Sequence, residues 1–175
     1  MTTGHVYIAT SLDGFIARPD GSIDWLTPFG EGEDDLGYAE FMADKQAIIM
    51  GRGTYETVLT FGAWPYTLPV LVLSRSLTSL PDRLDGMAEV ADLSPLAAMR
   101  MCTARGWDRV YVDGGALVQS FLRAGLIADM IVTRVPVLLG QGRPLFGPLK
   151  TDIALTHEAT RSLPGGLVQS RYSIA

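Results

Sequence analysis

Three short runs in this 175-residue chain combine residue types suited to holding an anion. Gly51-Arg52-Gly53-Thr54 closes the apolar stretch Ala47-Ile48-Ile49-Met50 and leads into a helical pattern. A buried strand that stops at a glycine and opens a helix presents free backbone N–H groups. Arg52 can fork onto a phosphate there, and Thr54 adds a hydroxyl. Taken alone, the same run equally makes a strand–turn–helix with a solvated arginine. Asp113-Gly114-Gly115-Ala116 repeats the arrangement after Arg109-Val110-Tyr111-Val112, and a pyrophosphate fits such N–H groups. Ser74-Arg75-Ser76 follows the apolar Val70-Leu71-Val72-Leu73, and its two hydroxyls and guanidinium suit a phosphate monoester. Beside Arg52, that run would favour a dinucleotide carrying a 2′-phosphate over one with a free 2′-hydroxyl. The full G-x-G-x-x-G fingerprint is absent.

These runs need a frame that brings them together. Residues 5–11 (HVYIATS), 46–50, 70–74, 87–90, 109–113 and 128–135 read as strands. Residues 34–45, 54–60, 95–105 and 116–124 read as helices, with Asp34 or Asp35 as N-cap of the first and Gly106 and Gly125 ending the last two. Residues 12–32 and 136–148 are rich in glycine and proline and read as long loops. Residues 153–161 and 166–174 form a closing antiparallel pair around Leu163-Pro164-Gly165. Strand–helix alternation followed by strands alone predicts an α/β fold. Its mixed, mainly parallel sheet is covered by helices on both faces and ends in a C-terminal antiparallel hairpin. In such sheets ligands bind beyond the carboxyl ends of the strands, where all three runs would lie.

Composition narrows the field. The length fits a single domain over residues 1–175, and 47% hydrophobic with 19% charged residues suits a globular core. A net charge of −5 without any basic block argues against nucleic acid. One cysteine, Cys102, leaves no internal disulfide, and its helical setting suggests packing. His5 and His157 lie far apart without a ligand pattern, so no metal is expected. No apolar run approaches ~18 residues and no signal-like N-terminus is present, so a cytoplasmic protein without a membrane segment is expected.

The motifs, in order, resemble those of the dihydrofolate reductase superfamily. They are closer to the reductase domain of the bifunctional riboflavin-biosynthesis deaminase-reductase than to dihydrofolate reductase itself. The resemblance rests on Ala9-Thr10-Ser11-Leu12-Asp13-Gly14-Phe15-Ile16-Ala17 and Ile49-Met50-Gly51-Arg52-Gly53-Thr54-Tyr55-Glu56. Further along it rests on residues 70–76, residues 112–115 with Phe121-Leu122, and residues 136–142 ahead of Leu145-Phe146. It implies a dihydrofolate reductase-like three-layer fold and NADPH as cofactor. Gly51, Arg52, Thr54, Ser74, Arg75, Gly114 and Gly115 are similar to NADP-binding positions, and Ala9 and Ile16 to positions flanking the nicotinamide. Trp25 resembles a tryptophan of the mobile active-site loop, and Thr133 a threonine backing the substrate pocket. Asp35 lies in the helix that carries the substrate-binding acid in dihydrofolate reductase; the alternative is helix capping. Asp13 either orients substrate or forms an Asp-Gly turn. Asp113 stands where riboflavin-pathway reductases commonly carry glutamate.

The chain also departs from both relatives. Residues 61–69 (FGAWPYTLP) carry neither the Leu-x-x-Arg segment linked to ribose-phosphate recognition nor the arginine that holds the folate glutamate. The deaminase zinc motif is absent as well.

The expected activity is therefore that of an NADPH-dependent reductase of the riboflavin-biosynthesis type. It would deliver hydride to a pyrimidine, pteridine or related small molecule. Asp35, with its pKa raised by burial, is the first proton donor and Asp113 the second. Dihydrofolate reduction and a non-catalytic NADP-binding module are the alternatives. The closing hairpin, with Val168, Tyr172 and Ile174 alternating, predicts a homodimer.

Overall fold

The apolar runs become strands at the centre of an eight-stranded sheet. A computed structural model describes residues 1–30 and 35–174. Its strands are β1 (Thr3–Ser11), β3 (Ala47–Gly51), β4 (Val70–Leu73), β5 (Ala88–Ala91), β6 (Arg109–Asp113), β7 (Ile127–Val135), β9 (Leu155–Leu163) and β10 (Leu167–Ile174). Their order is β5-β4-β3-β6-β1-β7-β10-β9. Neighbours run parallel from β5 to β7, and the last two pairings are antiparallel. Two small strands, β2 (Phe15–Ala17) and β8 (Arg143–Pro144), pair with each other and tie the two long loops together.

Side-chain alternation along each strand divides the core into two layers. Ile49, Val110 and Val112 face one way. They meet Ala98, Met99 and Cys102 of α4 (Pro95–Ala104) and Val118 and Phe121 of α5 (Gly115–Arg123). Ile48, Met50 and Tyr111 face the other way, onto Phe41 of α2 (Tyr38–Met42) and Tyr55 and Val58 of α3 (Arg52–Leu59). Each fully buried Val, Ile or Phe contributes about 1.5–3 kcal/mol. A short helix, α1 (Thr27–Gly30), completes the long loop after β2. With Trp25, Val135 and Leu167 it helps close the side of the sheet next to the hairpin.

The helix expected over residues 34–45 is the main correction to the predicted elements. Only Tyr38–Met42 is helical, and Asp34 lies outside the described residues. Leu36 and Gly37 are both left-handed (φ 57 and φ 87), so no helix can start before them. Hydrogen bonding compensates: the Leu36 carbonyl accepts from Tyr7 Oη (2.9 Å), Arg161 Nη2 (2.6 Å) and Gln169 Nε2 (3.1 Å). Three donors outweigh a left-handed penalty of about 1–2 kcal/mol. Two smaller shifts bear on the site: α3 begins at Arg52 rather than Thr54, and α5 at Gly115 rather than Ala116.

Candidate functional site

A cleft of about 1240 Å³ opens across the carboxyl ends of β4, β3, β6, β1 and β7. That exceeds the ~300–1,000 Å³ of ordinary small-molecule pockets and has room for a dinucleotide with a second molecule beside it. Gly51, Arg52, Thr54, Ser74, Arg75, Gly114, Gly115, Ala9 and Ile16 all line it, as do Asp35, Asp113 and Thr133.

The helix turns meet at the floor. Neither α3 nor α5 has a side-chain cap at its N-terminus, so their first backbone N–H groups are left for another acceptor. The two turns touch: Gly114 has φ 102, and a Cβ placed on it would collide with Thr54 Oγ1. A Cβ on Gly115 would come within 2.8 Å of both Ile16 Cδ1 and the Pro144 carbonyl. Glycine is thus required at both positions. Gly51 differs from the sequence expectation. Its backbone is extended (φ −82, ψ 166), and an added Cβ would meet only Leu117 Cβ at an ordinary 3.8 Å.

Three guanidiniums gather at the β3–β4 side. Arg52 Nη1 donates to Ser76 Oγ (2.9 Å), and its Nε lies 3.5 Å from Glu56. Ser74 Oγ accepts from the Ser76 and Leu77 N–H groups and shapes the turn that carries exposed Arg75. The third, Arg143, was not anticipated. Its Nε donates to the Pro19 carbonyl (3.3 Å), and its guanidinium lies against Gly21 and Gly53, where added Cβ atoms would approach it to 3.1 and 3.4 Å. Only the β2–β8 pairing brings it there, and no local pattern announces that pairing.

The acids divide by environment. Asp113 is half-buried. Loss of water pushes its carboxyl up to about 6, against the pull of Tyr111 and the Gly114 N–H. Its negative charge in turn raises the phenols of Tyr38, Tyr66 and Tyr111, although burial is the larger cause for each. Asp35 behaves in the opposite way to its expectation. It is exposed, and it accepts from the Ala39 (2.7 Å) and Gly37 (2.9 Å) N–H groups, which hold its carboxyl below the usual carboxylate range. It therefore caps α2 and stays ionised, which makes Asp113 the better proton reservoir.

Two expected substrate residues lie off the cleft wall. Asp13 accepts from Ser11 Oγ (2.6 Å) and from the Leu139 and Gly140 N–H groups, so it braces the loop after β7. Trp25 is buried behind Leu26, Phe29 and Leu36, which do line the cleft. Its indole N–H has no acceptor among the described residues. Thr133 is buried and accepts from Gln169 Nε2 (2.9 Å), a partner that sequence reasoning missed. Among the described residues no cluster of His, Cys, Asp and Glu could hold a metal ion.

Comparison with known proteins places this geometry. The uncharacterised protein YwjB of Bacillus subtilis is 37% identical over 95% of both chains. A crystal structure from Shewanella sp. PV-4, of a protein provisionally named for riboflavin biosynthesis, superposes with a TM-score of 0.93. It is 35% identical and covers 99% of each chain. The riboflavin biosynthesis protein RibD of Corynebacterium ammoniagenes is 29% identical over 86% of this chain, which spans 49% of that longer protein. The profile of the RibD C-terminal domain matches residues 3–168, and the chain belongs to that family.

Proposed function

We propose that this chain is an NADPH-dependent reductase of the kind found in 5-amino-6-(5-phosphoribosylamino)uracil reductases, acting on a pyrimidine, pteridine or related small molecule. The observation that carries this reading is the convergence of the Gly51–Thr54, Ser74–Ser76 and Gly114–Gly115 turns on one cleft with three arginines. Arg52 and Arg75 would hold the 2′-phosphate, and the N–H groups of α3 and α5 the pyrophosphate. Ala9 and Ile16 would flank the nicotinamide. NADPH supplies the hydride when bound.

The protein contributes position, dryness and a proton. Leu26, Phe29, Leu36 and Leu167 wall the cleft and keep water from the reacting bond. Asp113, with its carboxyl raised to about 6, can take up a proton just below neutrality and pass it to the nitrogen or oxygen of the C=N or C=O bond being reduced. Asp35, fixed in its ionised form, is suited to orienting a substrate N–H. No helix among the described residues is long and apolar enough to cross a membrane. We read the chain as one cytoplasmic reductase domain that pairs through β9, exposed along nearly its whole length.

NADPH fluorescence titration tests the cofactor. NADPH should bind at least tenfold more tightly than NADH, and the Arg52→Ala, Arg75→Ala double variant should lose that preference. Absence of NADPH binding would overturn the reading. Binding without oxidation by any pyrimidine, pteridine or carbonyl acceptor would favour a non-catalytic module.

A further inference from the structure

The cleft is sorted by charge. Arg52, Arg75 and Arg143 all stand on the β3–β4 side. The β6–β1–β7 side is lined by the carboxyls of Asp35 and Asp113, the phenols of Tyr66 and Tyr111, and Thr133, among apolar side chains. No Lys, Arg or His among the described residues lines that side, and residues 31–34 carry none in sequence. The exception to the sorting on the arginine side is Asp92, which lies past the end of β5 at the outer rim.

Arg161 is the cation nearest the acidic side. It is not part of the wall: its Nε donates to Gln169 Oε1 (2.8 Å) and its Nη2 to the Leu36 carbonyl (2.6 Å), and its charge helps to hold Asp35 ionised. Asp35 keeps its charge, since two backbone N–H groups hold its carboxyl below the usual carboxylate range.

We infer that the substrate sharing this cleft with the cofactor is a planar, uncharged or cationic molecule bearing no phosphate or other anionic group. The inference rests on the reductase reading, because it treats the arginine side as taken by the cofactor. A phosphate beside Asp35 and Asp113 would lose its water and meet like charge with no cation in the wall around it, whereas an amine or amide N–H would meet acceptors. Tyr66, Tyr111 and Leu36 offer flat or apolar surface to a ring.

The test begins with wild-type protein saturated with NADP, after NADPH binding has been measured separately, so a failed cofactor reading is seen first. Aminopyrimidine ribosides and pteridine alcohols are then titrated calorimetrically, each as the free alcohol and as its phosphate monoester. The alcohols should bind at least tenfold more tightly than their esters, and the ratio should shrink severalfold in Asp35→Asn. Esters binding as tightly as alcohols, a ratio unmoved by Asp35→Asn, or no binding of either form to the loaded protein would each overturn the inference.

Discussion

The two ends of the sheet treat charge in opposite ways. At the amino ends of the strands, buried His5 bonds Asp129 through Nδ1 (2.8 Å), and Arg109 Nη2 lies 3.3 Å from the same ring nitrogen. Arg109 Nε sits 2.9 Å from Asp44, and buried Lys45 pairs with Asp44 and donates to the Phe41 carbonyl (2.9 Å). Every charge in that cluster has a partner inside the protein. At the carboxyl ends, Arg75 and Arg143 meet no carboxylate within 4.0 Å among the described residues, and Arg143 faces the N-terminal turn of a helix. Two positive ends brought together without an anion are unfavourable. The amino-end attractions are used up in holding the fold, while those of the cleft remain for a ligand.

The sharpest way to break this contrast is Gly114→Val. A side chain at φ 102 directed at Thr54 strains the backbone and fills the cradle. NADPH affinity should fall more than 100-fold, about 2.7 kcal/mol, and urea unfolding should show a stability loss of about 3 kcal/mol. Retained affinity would mean that the two turns do not form one site.

Asp129→Ala probes the other end. It leaves buried His5 Nδ1 without its carboxylate, while Arg109 keeps Asp44, and should cost about 2 kcal/mol in a urea melt. The dissociation constant for NADPH should stay within about twofold of wild type, since the two charge sets do not couple over that distance. A comparable loss in both measurements would erase the distinction between the ends.

Asp113 supplies a pH-dependent test. Its folded value of about 6 exceeds the ~3.9 of an unfolded aspartate, so the folded state holds the proton more tightly between those values. Stability is then fullest below about pH 4, declines as pH rises to about 6, and stays reduced above it. Asp113→Asn removes that loss and should stabilise the protein by about 2 kcal/mol at pH 8 but little at pH 4. Its turnover, if Asp113 gives the proton, should fall sharply with NADPH affinity unchanged. Equal stabilisation at both pH values would show that Asp113 is not desolvated.

The mildest effect is expected from Arg143→Ala. NADPH should bind about tenfold more weakly, about 1.4 kcal/mol, while the melting temperature holds or rises slightly as the unopposed positive charge is relieved. A fall in melting temperature with unchanged affinity would make Arg143 a structural tie between the two loops.

Local chemistry made much of this molecule legible from its residues. Short β-branched apolar runs such as Val70–Leu73 read as buried strands, and the glycines after Met50 and Asp113 mark the turns that open α3 and α5. The order of motifs and the sheet class follow from that punctuation. Other features needed the folded chain. Asp35 and Asp113 are the same residue type, and only the backbone donors around one and the desolvated wall around the other separate an ionised cap from an acid near 6. Arg143 reaches Gly53, ninety positions earlier in the chain, through a two-strand pairing that no local pattern encodes. Leu36 is left-handed because donors from β1, β9 and β10 hold its carbonyl. Propensity and periodicity act over a few residues and set the elements, whereas charge state, strain and close approach depend on neighbours distant in sequence, which only the tertiary structure brings together.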